Sequence, residues 1–384
     1  MIKIKIKKKS LAIVNRTFLH DTPLGEGLLQ LLELAASTGP GYLITQSKCN
    51  LKEQLAIEGR GKYINIRSCK AFTTPSSGLL KRIFEALFFS MWTFICLVLT
   101  RPTNVYVATD PPVVVPFIVA VYCRLFGASF VYHLQDIHPE AANIVVPVNK
   151  FLFSFLQAID NFTIRNAKAL ITLSEDMMEY IRERSGASTR ICIIDNPGFY
   201  VEPVSTDKRT GDIIFCGNAG RLQRIPLLIG VIDEYLLRGG VLNFTFAGGG
   251  CFAPEINLLA ENFDQVTYLG VLPASQAAKL VNQHRWALLP IDDEVTKFAF
   301  PSKSSSYALS RTTIIAICGV DTSVSIWVNK NGLGIVCEPD HNTLVECLFD
   351  LEKDSYKSIF LKEKMLKRLS ISEYSKSLLK VVFC

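Results

Sequence analysis

Residues Trp286 to Ala316 read WALLPIDDEVTKFAFPSKSSSYALSRTTIIA. The segment opens on an apolar run, Trp286 to Pro290, and leads into another, Thr313 to Ile317. Each reads as a buried strand, and a polar loop and a short helix opening at Pro301-Ser302-Lys303 lie between them. Two such strands joined through a helix form one βαβ unit. The helix start also suits an anion: Pro301 fits a first turn, Ser302 can cap free N–H groups, and the helix dipole with the Lys303 ammonium favours a phosphate or diphosphate. An ordinary helix start with a surface lysine explains the same residues.

The alternation continues on both sides. Ahead of the unit come a strand Asp212 to Cys216, the turn Gly217-Asn-Ala-Gly-Arg221, a helix near Pro226, a strand Asn243 to Ala247 with Gly248-Gly-Gly250, a strand Val266 to Leu269, and a helix Ser275 to Asn282. A glycine turn between the first strand and helix of such a domain is where a diphosphate is usually held, and Arg221 and Arg224 add positive charge beside it. Earlier still, Ser10 to Val14 reads as a strand, and Pro23-Leu-Gly-Glu-Gly27 leads into a helix from Leu28 to Ala36. Gly25 and Gly27 there either let backbone approach a ligand or form a plain strand-to-helix turn. Strands at Gly41 to Thr45, Asn104 to Thr109, Phe130 to Leu134, Ala169 to Thr172 and Ile191 to Ile194 follow, with helices at Val113 to Phe126, Lys150 to Arg165 and Met177 to Ser185. In a parallel sheet ligands collect at the carboxyl ends of strands, so Asp110, His133, Asp136, His138 and Glu140 converge on a cleft edge, as site residues or as turn and capping groups.

A chain of 384 residues is too long for one ordinary core at about 150 residues per domain. The polar stretch Phe199 to Thr210, with Pro203, marks a linker between two α/β halves. The expected division is 1–200, 201–365, and a C-terminal helix, 366–384, returning to the first domain.

With 49% hydrophobic and 20% charged residues the chain is globular. The net charge is +6, and the run Ile2-Lys-Ile-Lys-Ile-Lys-Lys-Lys9 supplies five lysines. That bias at one end, without a basic stripe through the folded part, argues against nucleic acid and suits an anionic membrane surface or mere solubilising charge. The 11 cysteines include no C-x-x-C pair, which points to free thiols in a reducing compartment, hence the cytoplasm, and to no zinc site. Leu11 to Val14 is too short an apolar run for a signal peptide. Leu79 to Thr100 is the most apolar segment, but its uninterrupted part from Ala86 is about 14 residues, short of the roughly 20 that span a bilayer. With Lys81 and Arg82 at one end and Arg101 at the other, it suits a helix lying in the membrane interface, a helix buried against the sheet, or both.

Tyr106-Val-Ala-Thr-Asp-Pro-Pro112, Val131-Tyr-His-Leu-Gln-Asp-Ile-His-Pro-Glu140, Ile171-Thr-Leu-Ser174, Asp195-Asn-Pro-Gly198, Cys216-Gly-Asn-Ala-Gly-Arg221, Ala247-Gly-Gly-Gly250, Leu269-Gly270 and Phe300-Pro-Ser-Lys303 with Tyr307 form an ordered series. By this series the chain resembles glycosyltransferase family 4, in the branch that makes bacterial surface polysaccharides such as O-antigen. The resemblance implies a GT-B fold: two doubly wound, Rossmann-like α/β domains with a cleft between them. It implies a retaining transferase working without bound metal or other cofactor, with a UDP- or GDP-sugar as co-substrate and a lipid-linked glycan as acceptor, peripheral on the inner face of the plasma membrane. Gly217, Asn218, Gly220, Arg221, Arg224, Ser302, Lys303 and Tyr307 would then serve the donor. Asp136 and Glu140 would be catalytic, and Gly25, Gly27, Asp110 and His133 would lie on the acceptor side.

The chain departs from the family at several positions. Two glutamates eight positions apart are frequent in relatives, and Phe298 and Ser306 stand in their places. Arg311 and Thr313 replace a usual glycine and proline, and a side chain in a left-handed helix end costs about 1 kcal/mol. These departures keep two alternatives in view: a non-catalytic member that binds nucleotide-sugar or a partner enzyme, and a nucleotide-sugar epimerase or hydrolase.

Overall fold

The computed structural model describes residues 9–73, 77–202, 204–205, 208–353 and 361–384. Most of the lysine run and Pro203 of the expected linker lie outside them.

The chain forms two units, each built on its own parallel sheet. The first takes in the chain up to His20, Leu24–Ile194 and Ser372–Cys384, and the second consists mainly of Asp195–Ile371. In the first, β1 (Leu11–Thr17), α1 (Pro23–Ala35), β2 (Gly41–Ser47), α2 (Leu51–Ile57), β3 (Ile64–Lys70) and α3 (Leu79–Thr100) precede β4 (Asn104–Ala108) and α4 (Val114–Phe126). Then come β5 (Ser129–His133), α5 (Glu140–Val145), α6 (Lys150–Asn166), β6 (Ala169–Thr172), α7 (Glu175–Ser185) and β7 (Arg190–Ile193). The strand order is β3-β2-β1-β4-β5-β6-β7, which reverses between β1 and β4 and so opens a ligand crevice at their carboxyl ends.

The second unit runs β8 (Gly211–Cys216), α8 (Ile225–Leu237), β9 (Phe244–Ala247), α9 (Ala253–Asn262), β10 (Val266–Tyr268), α10 (Ala274–Asn282) and β11 (His284–Pro290). It continues with α11 (Lys303–Leu309), β12 (Thr313–Ile317), α12 (Ser323–Asn331), β13 (Gly334–Cys337), α13 (His341–Lys353) and α14 (Glu363–Leu369). Its order, β10-β9-β8-β11-β12-β13, reverses between β8 and β11. The last helix, α15 (Ile371–Phe383), places Tyr374, Leu378 and Val382 in the core of the first unit, against Leu28 and Leu32 of α1 and the β1 residues Leu11 and Ile13.

The central strands β4, β5 and β6 are buried on both faces, which is why they read as continuous apolar runs. Edge strand β3, INIRSCK, is largely solvent-facing and carries no such signal. Nor do α2, α9, α12, β13 and α13, for which the sequence reading offered no assignment. Helix α3 spans 22 residues and is long and apolar enough to cross a membrane by length and composition. One face packs along β1, β2, β3 and α4, burying Phe89, Thr93, Cys96 and Leu97. The other exposes Leu80, Phe84, Leu87, Met91 and Leu99.

Candidate functional site

In the second unit three glycine turns meet at the carboxyl edge of the sheet. Gly217, Gly248 and Gly250 have φ of 148°, 132° and 140°, values open to glycine and strained for other residues. Space enforces the same choice: a Cβ on Gly248 would lie 1.9 Å from the Gly217 carbonyl oxygen, and one on Gly250 2.3 Å from that of Ala219. Backbone bonds from Gly217 to Ala247 (2.8 Å), Ala219 to Gly249 (2.6 Å) and Gly248 to Gly270 (2.7 Å) stitch the turns together.

Lys303 reaches into this edge from the start of α11. Its Nζ sits 3.8 Å from the Phe215 ring centroid and 3.5 Å from where a Gly217 Cβ would be. That nitrogen is buried without a hydrogen-bond partner, and burial lowers the ammonium pKa to about 7. An ammonium left in this state is costly unless a counter-charge arrives. Arg221 and Asn218 are exposed on the same turn.

Other expected donor residues have different work. Tyr307 is 1% exposed, and its hydroxyl accepts from Cys216 N at 2.9 Å and donates to Cys216 O at 3.1 Å. It holds the end of β8 in place rather than facing a ligand. Arg224 donates to Ile291 O at 2.9 Å and pairs with Asp293 at 3.1 Å, so its charge is already matched. Ser302 is exposed and its side chain caps nothing, against the expected capping role. The Gly220 amide is taken by Gln223 Oε1 at 3.1 Å, a residue the sequence reading passed over.

At the departures from the family, Phe298 and Ser306 are half-buried. Arg311 adopts φ 50°, the left-handed conformation glycine would favour. The turn is pinned by buried Arg209, whose guanidinium donates to Ser310 O at 3.3 Å, Arg311 O at 2.9 Å, Thr312 Oγ1 at 3.2 Å and His284 O. Arg209 lies in the stretch expected to be a polar linker, where nothing in the sequence marks it as buried.

In the first unit Asp136 follows β5, half-buried, and burial pushes its carboxyl up to about 6. Glu140, 5% exposed, is committed: its carboxylate takes Arg184 Nη1, Gln157 Nε2 and Tyr180 Oη, each at 2.8 Å. Burial alone would raise its pKa, but these partners, Arg184 foremost, hold it below the usual range. Arg184 also pairs with Asp160, which accepts from Tyr132 Oη at 2.9 Å, and donates to the His138 carbonyl at 3.0 Å. This cluster fixes the loop that bears Asp136 and commits three of the roughly four lone pairs of the Glu140 carboxylate to Arg184, Gln157 and Tyr180.

The expected acceptor-side residues divide similarly. His133 is fully buried, its Nδ1 2.5 Å from Tyr106 Oη, and burial depresses its pKa to about 3. It is a neutral core group out of reach of an acceptor. Gly25 and Gly27 serve packing rather than ligand approach. A Cβ on Gly25 would lie 1.8 Å from Leu19 O, and one on Gly27 2.5 Å from Tyr374 Cδ1, while Ser375 Oγ donates to Gly27 O at 2.9 Å. Asp110 remains at the strand edge, its side chain 35% exposed and 3.0 Å from Arg16 Nη2. Among the described residues no group of three metal-ligating side chains occurs.

Residues 54–197 match the glycosyl transferase 4-like domain family. A probable glycosyltransferase, WbjE, from Pseudomonas aeruginosa is 21% identical over 242 residues, 58% of this chain and 60% of that protein. Among solved structures, WaaG, a glycosyltransferase involved in lipopolysaccharide biosynthesis, superposes with TM-score 0.65 at 12% identity, covering 97% of this chain and 99% of that one. Anabaena HepE, in complex with UDP and glucose, gives TM-score 0.61 at 12% identity, over 96% and 98% of the two chains. The family match covers residues 54–197 alone, while the paired parallel sheets and the superpositions over nearly the whole length give the chain the GT-B fold.

Proposed function

We propose that the chain is a retaining glycosyltransferase that moves a sugar from a UDP- or GDP-sugar to a lipid-linked glycan acceptor, in the synthesis of a cell-surface polysaccharide such as O-antigen. The observation that carries this reading is Lys303, a buried ammonium with no partner against the glycine turn at Gly217. A diphosphate supplies the missing charge, and Lys303 with Arg221 neutralises it as the glycosidic bond breaks. HepE, which shares the fold, is seen with UDP and glucose. Asp136, ionised at neutral pH, favours a cationic sugar or orients the acceptor hydroxyl.

The acceptor's lipid places the enzyme on the cytoplasmic face of the membrane. The exposed apolar face of α3, flanked by Lys81, Arg82 and Arg101, suits an interfacial helix. Purified protein mixed with nucleotide-sugars, a lipid-diphosphate acceptor and anionic vesicles is expected to release nucleoside diphosphate with one donor and to sediment with the vesicles, less so at high salt. No release with any donor, and no donor-induced rise in melting temperature, would refute the transferase.

Phe298 and Ser306, which leave the loop without its usual acids, favour one rival: a member that binds nucleotide-sugar without turnover. Donor binding without turnover, unchanged by Asp136→Ala, would establish it. Turnover with no acceptor present would instead indicate an epimerase or hydrolase.

A further inference from the structure

Helix α3 contains one residue that does not belong in its apolar sequence. Glu85 is 3% exposed, and a buried carboxylate is tolerated only where it is paired and hydrogen-bonded. Its partners all lie outside the helix. It accepts from Phe72 N at 2.7 Å, from Thr73 N at 3.0 Å and from the Thr73 hydroxyl, and Arg16 Nη1 stands 3.8 Å away. Burial alone would raise its pKa, but the bonds from Thr73 and Phe72 and the Arg16 charge outweigh it and keep the group ionised. Arg16 continues the chain to Asp110 Oδ1 at 3.0 Å, and Asp110 Oδ2 accepts from Thr17 N at 3.0 Å. One carboxylate on α3 therefore holds the segment after β3 and, through Arg16, the ends of β1 and β4, the two strands between which the sheet order reverses.

The same segment reaches the solvent face of the helix. Phe72, 49% exposed, packs its ring 6.1 Å from Phe84 and 5.9 Å from Phe88 between centroids. Phe84 belongs to the exposed stripe with Leu80, Leu87, Met91 and Leu99. Basic side chains at both ends of this stripe match an anionic bilayer rather than an apolar protein groove.

We propose that Glu85 is a positioning residue through which docking of α3 on an anionic bilayer orders Arg16, Asp110 and the Phe72–Thr73 segment to receive the acceptor. This deepens the function proposed above and rests on its membrane-borne acceptor. The test is amide hydrogen exchange with and without vesicles of phosphatidylglycerol and phosphatidylethanolamine. In the wild type, vesicles are expected to slow exchange at Thr17, Phe72 and Thr73 by at least about tenfold, the scale of one hydrogen bond to a charged group. Glu85→Gln keeps an acceptor for the two amides but loses the ion pair, so it is expected to bind vesicles as the wild type does while losing the slowing at Thr17. Arg16→Met cuts the same link without touching the helix and is expected to keep the slowing at Phe72 and Thr73 alone. Where transfer is measured, Glu85→Gln is expected to lower kcat/KM for the lipid-linked acceptor by about tenfold with the KM for the nucleotide-sugar unchanged. Failure of the wild type to bind vesicles, or slowing at Thr17 that survives both substitutions, overturns the proposal. Coupling without any sugar transfer would leave it standing and remove the transferase reading instead.

Discussion

Two buried charge sites follow sheet strands in this chain, and they differ in whether their charges are answered. In the first unit Arg184 faces Glu140 and Asp160, and Gln157, Tyr180 and Tyr132 complete the hydrogen bonding of the two acids. In the second, Lys303 Nζ has an aromatic ring beneath it and no hydrogen-bond partner. In the first site the charges are answered within the protein, with only Arg184 Nε left without a hydrogen-bond partner, and it does the work of a frame. The second is incomplete, and an unanswered buried charge marks the place where a ligand's charge belongs.

The sharpest way to break the comparison is to remove each cation. Arg184→Met leaves two buried carboxylates sharing no counter-charge, and is expected to cost about 3–5 kcal/mol of stability, read by urea unfolding. Lys303→Met removes a charge that the free protein holds at a cost, so its urea midpoint is expected to stay or rise. Equal losses in both variants would mean that the lysine is as structural as the arginine.

A smaller effect sharpens the account of how the open site is held. Arg311 sits at φ 50° beyond the far end of the helix that carries Lys303. Arg311→Gly is expected to raise stability by up to about 1 kcal/mol, with donor affinity unchanged because Arg209 still bonds the carbonyls of residues 310 and 311. A loss of stability would show that the Arg311 side chain, rather than Arg209, secures the turn.

The contrast between the sites also explains what was legible in the sequence. The paired α/β sheets could be read because buried parallel strands are continuous apolar runs, as at Val105 to Ala108 and Ile314 to Ile317. The glycines at 217, 248 and 250 and Lys303 stood out because a local motif displays backbone freedom and charge. Glu140 and His133 looked like site residues because their chemistry is visible locally and their partners are not. Arg184 follows Glu140 by 44 residues, and Tyr374, which fills the space beside Gly27, comes from the last helix. Glu85 left one trace that could have been used: a lone acid in the most apolar helix requires a buried partner.

The most direct test of the central claim is calorimetry of UDP and GDP binding at pH 8 in buffers of different ionisation enthalpy. Burial sets the free Lys303 near pKa 7, below its ordinary 10.5, and a bound diphosphate favours the charged form, so the pKa rises on binding. Between those values the complex holds more proton than the free protein, and affinity falls as pH rises above 7. The account predicts proton uptake approaching one per nucleotide bound, lost in Lys303→Met together with about 10- to 100-fold in affinity. Tight binding with no proton uptake, or uptake that persists in Lys303→Met, would contradict it.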